Sequence, residues 1–229
     1  FKIKIFYKNF YLKGVLMEAE RNKYNKMIIN KAIENFQKRN FDAYYFSNKE
    51  EAINYFFSII KKEQSIGYGG SRTLSQLQII ERLRNEGYKL LDRNNENNTQ
   101  QIREAIERQV FSADIFIASA NAVSLDGHIV SIDLWGNRVC ATSFGPKNVY
   151  LFIGYNKIVN DLESAIFRVK NIAAPLNAIR LNKNTPCVKT GKCIDCFSED
   201  RICATMTILN WCHPKNRIKL LFINEELGF

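Results

Sequence analysis

Apolar residues recur at helical spacing in three early stretches, with short apolar runs between them. Residues 18–40 carry Met27, Ile28, Ala32, Ile33 and Phe36 on one side and charge on the other, which predicts a helix. The run Ala43-Tyr44-Tyr45-Phe46 predicts a strand over 42–46. Ser47 or Asn48 can cap the next helix, with Glu50 and Glu51 in its first turn. That helix bears Ala52, Ile53, Phe56, Phe57, Ile59 and Ile60. A strand then runs into glycines at 67–70, and Ser71 opens a third helix with Leu74, Leu77, Ile80 and Leu83. Residues 88–91 predict another strand. After an Asn-rich turn at 94–99, a helix extends to about Phe111 and an apolar strand covers 114–119. Ala122-Val123-Ser124 and Ile129-Val130-Ser131 flank Asp126-Gly127, which is a hairpin signal. A strand at 149–154, an amphipathic helix at 161–173 and a last strand at 217–224 complete the pattern.

Alternating strands and helices predict an α/β fold with a mostly parallel sheet flanked by helices. The hairpin adds an antiparallel element. No internal repeat or linker interrupts the chain. A length of 229 residues suits one domain, or one domain with an appendage, whose core stands without disulfides. No apolar run reaches the ~18 residues that would span a bilayer, so no membrane partner is expected.

Residues 1–16 hold four lysines and no acid. They fit a basic amphipathic anchor, a signal peptide whose apolar region the lysines interrupt, or an extension upstream of a start at Met17. The last reading is preferred. The expected organisation is a leader at 1–16, an α/β body at 17–181, and a segment at 182–229 whose last strand completes the same domain.

The net charge of +10 includes four positive charges from the leader. A second basic excess lies at 180–219, where eight Lys/Arg face Asp195, Glu199 and Asp200. No basic run there interleaves with stacking aromatics, so nucleic acid is not an expected partner. Positive charge also favours thiolates, and four thiols are close by. Cys187, Cys193, Cys196 and Cys203 follow the spacing C-x5-C-x2-C-x6-C. Zinc sites commonly use two short knuckles, and only Cys193 and Cys196 form one. A [4Fe–4S] cluster also takes four thiolates, usually more tightly spaced. Zn2+ and [4Fe–4S] both stay open, ahead of structural thiols or disulfides. Ligand-like thiols without a convincing signal segment point to a reducing, cytoplasmic setting.

Two further stretches carry candidate chemistry. Gly67, Gly69, Gly70, Ser71, Arg72 and Thr73 join a buried strand to a helix, where backbone N–H groups, hydroxyls and one guanidinium suit an anionic small molecule. Arg72 stands where a dinucleotide fingerprint has its third glycine, and the lysine of a P-loop is missing. In the polar hairpin, Asp126 and His128 read as turn chemistry. Asp133, Asn137 and Arg138 are the candidate catalytic residues, because Asp133 closes an apolar strand and the other two follow a glycine at a helix start.

Taken in order, these pieces resemble the LUD-domain, or lactate-utilisation, family. The residues that carry the resemblance are Gly-Tyr-Gly-Gly-Ser-Arg-Thr-Leu (67–74), Asp-Gly-His-Ile-Val-Ser-Ile-Asp (126–133), Gly-Asn-Arg-Val (136–139) and Phe-Gly-Pro-Lys (144–147). Asn-Ile-Ala-Ala-Pro-Leu-Asn-Ala (171–178) and the segment from Thr185 to Cys203 continue it. The resemblance implies a fold like the NagB/RpiA/CoA-transferase group. It also implies a link to oxidation of lactate to pyruvate alongside iron–sulfur partner proteins. It transfers no catalytic residue, and the glutamate nucleophile of CoA transferases has no counterpart here. The alternative function is a metabolite-binding or sugar-phosphate isomerase-like protein with a purely structural zinc site. A homo-oligomer is compatible with either.

Overall fold

The computed structural model describes the backbone of residues 2–229 and the side chains from residue 17 onward. The side-chain expectations for the leader lie outside the described residues. Helix α1 (Lys2–Lys38) leads into β1 (Asp42–Phe46) and α2 (Lys49–Ile59). Then come β2 (Ile66–Tyr68), the short helices α3 (Arg72–Gln76) and α4 (Ile79–Asn85), and α5 (Gln100–Gln109). Strands β3 (Ile115–Ala118), β4 (Ala122–Ser124) and β5 (Ile129–Asp133) precede α6 (Asn137–Ser143). The chain continues through β6 (Asn148–Gly154), β7 (Ile158–Val159), α7 (Leu162–Arg168) and α8 (Ala174–Arg180). It ends with α9 (Pro186–Thr190), β8 (Thr205–Leu209) and β9 (Ile218–Ile223).

Five strands form a parallel sheet in the order β1-β9-β6-β3-β2. Its inner strands are apolar on both faces, which is the signature of a sheet covered on both sides. Alternation then sorts each strand between two cores. Leu220 and Phe222 of β9, Leu151 and Ile153 of β6, and Phe116 of β3 face one core with Ile29, Ala32 and Phe36 of α1. Leu221, Phe152 and Ile117 face the other, with Ala52 and Phe56 of α2 and Leu74 and Leu83 of α3 and α4. Phe56 packs edge-on against Tyr150 and Phe152, with ring centroids 5.3 and 5.5 Å away. Asn48 caps α2 by accepting from the Glu51 N–H at 2.9 Å.

The hairpin belongs to a second sheet, ordered β7-β4-β5-β8, against which Ala165 of α7 and Val169 of the turn after it pack. Its turn falls at Asp126-Gly127, as the sequence predicts, with Gly127 at φ +93°. β8 pairs antiparallel with β5 over five residues. Its partly exposed, threonine-rich run Thr-Met-Thr-Ile-Leu lacks clean alternation, so the sequence pattern did not reveal it.

Other elements differ from the sequence expectation as well, beginning with the helix expected over 18–40, which spans Lys2–Lys38. The helix expected from Ser71 onward is two short helices, broken at Gln78, whose φ of 52° is left-handed. Residues 88–91 do not form a strand; they contribute a single bridge from Leu90 to Ile66. The helix expected to stop near 173 passes through a π-helical turn at Val169–Ala173 into α8. Among the described residues, no helix is long and apolar enough to cross a membrane.

Candidate functional site

A cleft of about 470 Å³ opens where the carboxyl ends of β2 and β3 meet the β5–α6 turn and α8. It brings Gly70 of the glycine turn together with Asp133, Asn137 and Arg138 from the hairpin side. A recess of about 50 Å³ adjoins it, lined by Ser71, Arg72, Ser119, Lys157 and Arg180 among others. Gly70, Asn121, Arg138, Asn177 and Arg180 border both spaces.

The glycine turn does not act as one unit. A Cβ at Gly67 would fall 2.8 Å from Val110 Cγ1, so this glycine serves packing beneath the turn. A Cβ at Gly69 would fall 2.7 Å from Arg138 Cγ, so Gly69 is what lets Arg138 cross over the strand. Gly70 is exposed and borders the cleft. Ser71 caps α3 by accepting from the Leu74 N–H at 3.3 Å. With only five residues, α3 has little dipole to offer an anion. The anion attraction expected from a long helix start is therefore not present, and charge at this corner comes from side chains.

The three hairpin candidates are placed as builders of the site. Asp133 Oδ2 accepts from the N–H groups of Arg138 at 2.9 Å and Val139 at 3.3 Å, and so caps α6. Its Oδ1 accepts from the Leu134 N–H at 3.1 Å. Asn137 Oδ1 accepts from the Arg138 N–H at 3.0 Å. Arg138 donates from Nη1 to Ser119 O at 3.0 Å, and from Nη2 to Ile132 O at 2.6 Å and Asn121 Oδ1 at 3.0 Å. Three of its five N–H donors are thereby committed to tying β3, β5 and α6 together. Burial lowers the Arg138 pKa, partly offset by the Asp133 charge.

The residues that sequence reasoning missed lie after β6 and on α7 and α8. Lys157 is only 3% exposed. Its Nζ lies 2.8 Å from Thr73 Oγ1, 2.9 Å from Ser119 Oγ and 3.2 Å from Ala120 O. None of these partners is a carboxylate. Burial, then the charges of Arg168 and Arg138, holds the ammonium well below its usual pKa. Arg168 is buried too, donating to Asn156 O at 3.1 Å and Asn121 O at 2.6 Å, and burial pulls it down to about 10. Arg180 is held by Asn177 Oδ1 at 2.9 Å, and burial and then Arg72 lower its pKa. The recess thus gathers Arg72, Arg138, Lys157 and Arg180 with no Asp or Glu side chain among its lining. One signal for Lys157 was available. It follows the carboxyl end of a buried parallel strand, where ligand sites form in such sheets.

The model of the LUD domain matches residues 29–223. The chain belongs to the LUD-domain family. Its structure is similar to the crystal structure of a DUF162 family protein from Deinococcus radiodurans, with a TM-score of 0.49 and 11% sequence identity. That likeness covers 87% of this chain and 97% of the other. No curated protein matches the chain.

In this LUD domain the four candidate thiols of Cys187, Cys193, Cys196 and Cys203 are free and partly exposed. Thr185 Oγ1 lies 3.1 Å from Cys187 Sγ, and the Asp195 N–H reaches Cys193 Sγ at 3.5 Å. Burial pushes the Cys203 thiol up, Arg201 pulls it down, and Cys193 and Cys196 push it up slightly. Those three thiols therefore lie within electrostatic reach of one another. Among the described residues, no group of three or more His, Cys, Asp or Glu stands close enough to hold a metal ion. As placed, the thiols do not form a four-thiolate site.

Proposed function

We propose that this LUD domain binds a small organic anion in the cleft, as part of lactate utilisation. The observation that supports this most directly is the recess: four basic side chains and no Asp or Glu in its lining, with Lys157 buried and hydrogen-bonded to no carboxylate. Guanidinium groups gathered without an acidic neighbour repel one another, and an anionic ligand is the natural compensation. Arg72 and Arg180 border the open side, where a carboxylate or phosphate would enter. The family's association with lactate makes lactate and pyruvate the first ligands to examine, and sugar phosphates the alternative.

The test is calorimetric titration and thermal shift with lactate, pyruvate, inorganic phosphate and sugar phosphates. At least one anion should raise the melting temperature in the native protein and fail to do so in Arg180→Ala. If none binds at low ionic strength, the reading fails.

For the thiol segment, the same family reading carries a separate proposal. A [4Fe–4S] cluster or Zn2+ on Cys187, Cys193, Cys196 and Cys203 would require these loop residues to close together from their present placement. The interaction of Cys203 with Cys193 and Cys196 supports that direction. Iron, sulfide and zinc analysis of protein purified without air decides it, and metal-free protein of full stability would refute it.

A further inference from the structure

We propose that Lys157 is a nucleophilic amine that condenses with the carbonyl group of a small anionic carbonyl compound held in the recess. This rests on the reading of the cleft as an organic-anion site and adds a covalent step to it.

The hydrogen-bond geometry around Nζ suits a neutral amine. Ser119 Oγ donates to Phe152 O at 2.6 Å, so toward Lys157 it can only accept. Ala120 O is an acceptor as well. These two take both N–H groups of a neutral –NH2. The third neighbour, Thr73 Oγ1, carries a hydroxyl proton that can point at the nitrogen lone pair. Its other acceptor, Leu227 O, is distant at 3.4 Å. The neutral form therefore leaves no polar atom in this group unsatisfied. The charged side chains facing Lys157 all favour the same state. Arg138 comes from α6 and Arg168 from α7. Arg72 and Arg180 share the recess, and no Asp or Glu side chain does. A desolvated lysine beside other cations is the known way to obtain an amine nucleophile near neutral pH.

The cations define the partner. A compound that delivers a carbonyl carbon to Lys157 must also carry a negative group to Arg72, Arg180 or the free donors of Arg138. The shared chemistry is a carbonyl close to a carboxylate or phosphate, as in 2-keto acids and in phosphorylated ketones or aldehydes. In the step itself the Thr73 hydroxyl turns from Nζ to Leu227 O, which frees the lone pair to form a bond to the carbonyl carbon as the C=O π pair moves to oxygen. A proton passes from nitrogen to that oxygen, with the Thr73 hydroxyl placed to relay it. Water leaves and a C=N bond to Lys157 remains. No electrons are gained or lost, and water is the sole by-product.

The experiment incubates the intact chain with pyruvate, glyoxylate or dihydroxyacetone phosphate, adds borohydride, and reads intact mass followed by peptide mapping. The expected result is one reduced adduct per chain, mapped to Lys157, formed with the keto acids or with the phosphate and so separating those two classes. Lys157→Arg should lose the adduct, while reversible anion binding is read by thermal shift on the native chain without borohydride. If Lys157→Arg does not fold, the map on the native chain decides alone. Anion binding without an adduct at Lys157, or labelling spread evenly over other lysines, overturns the covalent step and leaves the binding reading intact. No binding and no adduct overturns both.

Discussion

The glycines of the turn between β2 and α3 should respond to alanine in three different ways. None of Gly67, Gly69 and Gly70 has a positive φ, so only space decides. At Gly69 the new methyl would lie 2.7 and 2.9 Å from Arg138 Cγ and Cδ, and 3.3 Å from Phe116 Cζ. Phe116 is locked in the core, so the arginine must give way. Its three guanidinium bonds to Ser119 O, Ile132 O and Asn121 Oδ1 would lengthen or break. Hydrogen bonds to a charged group contribute ~1.5–3 kcal/mol each. Partial relaxation would keep some of that, so Gly69→Ala should cost about 2–4 kcal/mol. It should also weaken anion binding, because Arg138 borders both spaces. Gly67→Ala meets Val110 at 2.8 Å and should cost about 1–3 kcal/mol by overpacking, with binding preserved among the folded molecules. Gly70→Ala meets only Arg93 Nη2, at 3.2 Å, and a shift of a few tenths of an ångström in that guanidinium, paired with Glu107, should make it nearly neutral in stability. Urea unfolding with ligand titration on the three variants reads both quantities. Equal stability losses at 67 and 70, or a Gly69→Ala protein that is stable and binds normally, would refute the assignment of these roles.

Three other changes probe the cap, the core and the buried lysine. Asp133→Ala removes the acceptor of two helix-start N–H groups and should cost ~0.5–2 kcal/mol, whereas Asp133→Asn keeps an acceptor and should cost less. Equal losses by urea unfolding would argue that the negative charge, not the cap, is what matters. Phe56→Ala should cost ~3–5 kcal/mol in the same assay, because it empties the contact with Tyr150 and Phe152. Lys157 has a folded pKa below that of the unfolded chain, about 10.4. The folded state thus binds fewer protons across the window between the two values, and native stability should rise with pH there. Lys157→Met should flatten that rise and be relatively more stable at neutral pH; an unchanged pH slope would mean that Lys157 is not the source.

Much of the fold is legible because its strands are apolar on both faces and its helices carry one apolar side. Strands β3, β6 and β9 have uninterrupted apolar runs, and α2 shows its cap and its buried Ala52 and Phe56 at once. Where elements were misread, local pattern and tertiary demand diverge. Residues 79–83 continue an apolar helix period, but Gln78 turns left-handed, so Ile79, Ile80 and Leu83 reach the core from a new direction. Tyr88–Leu91 has strand composition but lies beyond the sheet's edge strand, where it makes one bridge and stops. β8 is partly solvated and polar on alternate residues only weakly, so it forms through its pairing with β5 rather than through its own pattern.

The site was legible in its location and not in its parts. Glycines after a buried strand and polar residues after a hairpin come together at one corner, because both lie at carboxyl ends of strands that end together. Which residue does what depends on contacts between segments far apart in the chain. Asp133 carries the composition of a base, yet its oxygens accept from N–H groups of the helix that follows. Arg138 carries the composition of a substrate ligand, yet it spends three donors on the scaffold. Lys157 reads as an ordinary surface lysine in Gly-Tyr-Asn-Lys-Ile, with no neighbour in sequence to suggest otherwise. Its burial arises only when Thr73, 84 residues earlier, and Ser119, 38 residues earlier, close around it. Both forms of the amine find hydrogen-bond partners there, and the charged one is disfavoured by burial and by the neighbouring arginines. On that asymmetry rests the proposal that Lys157, rather than the more conspicuous thiols, carries the chemistry of this cleft.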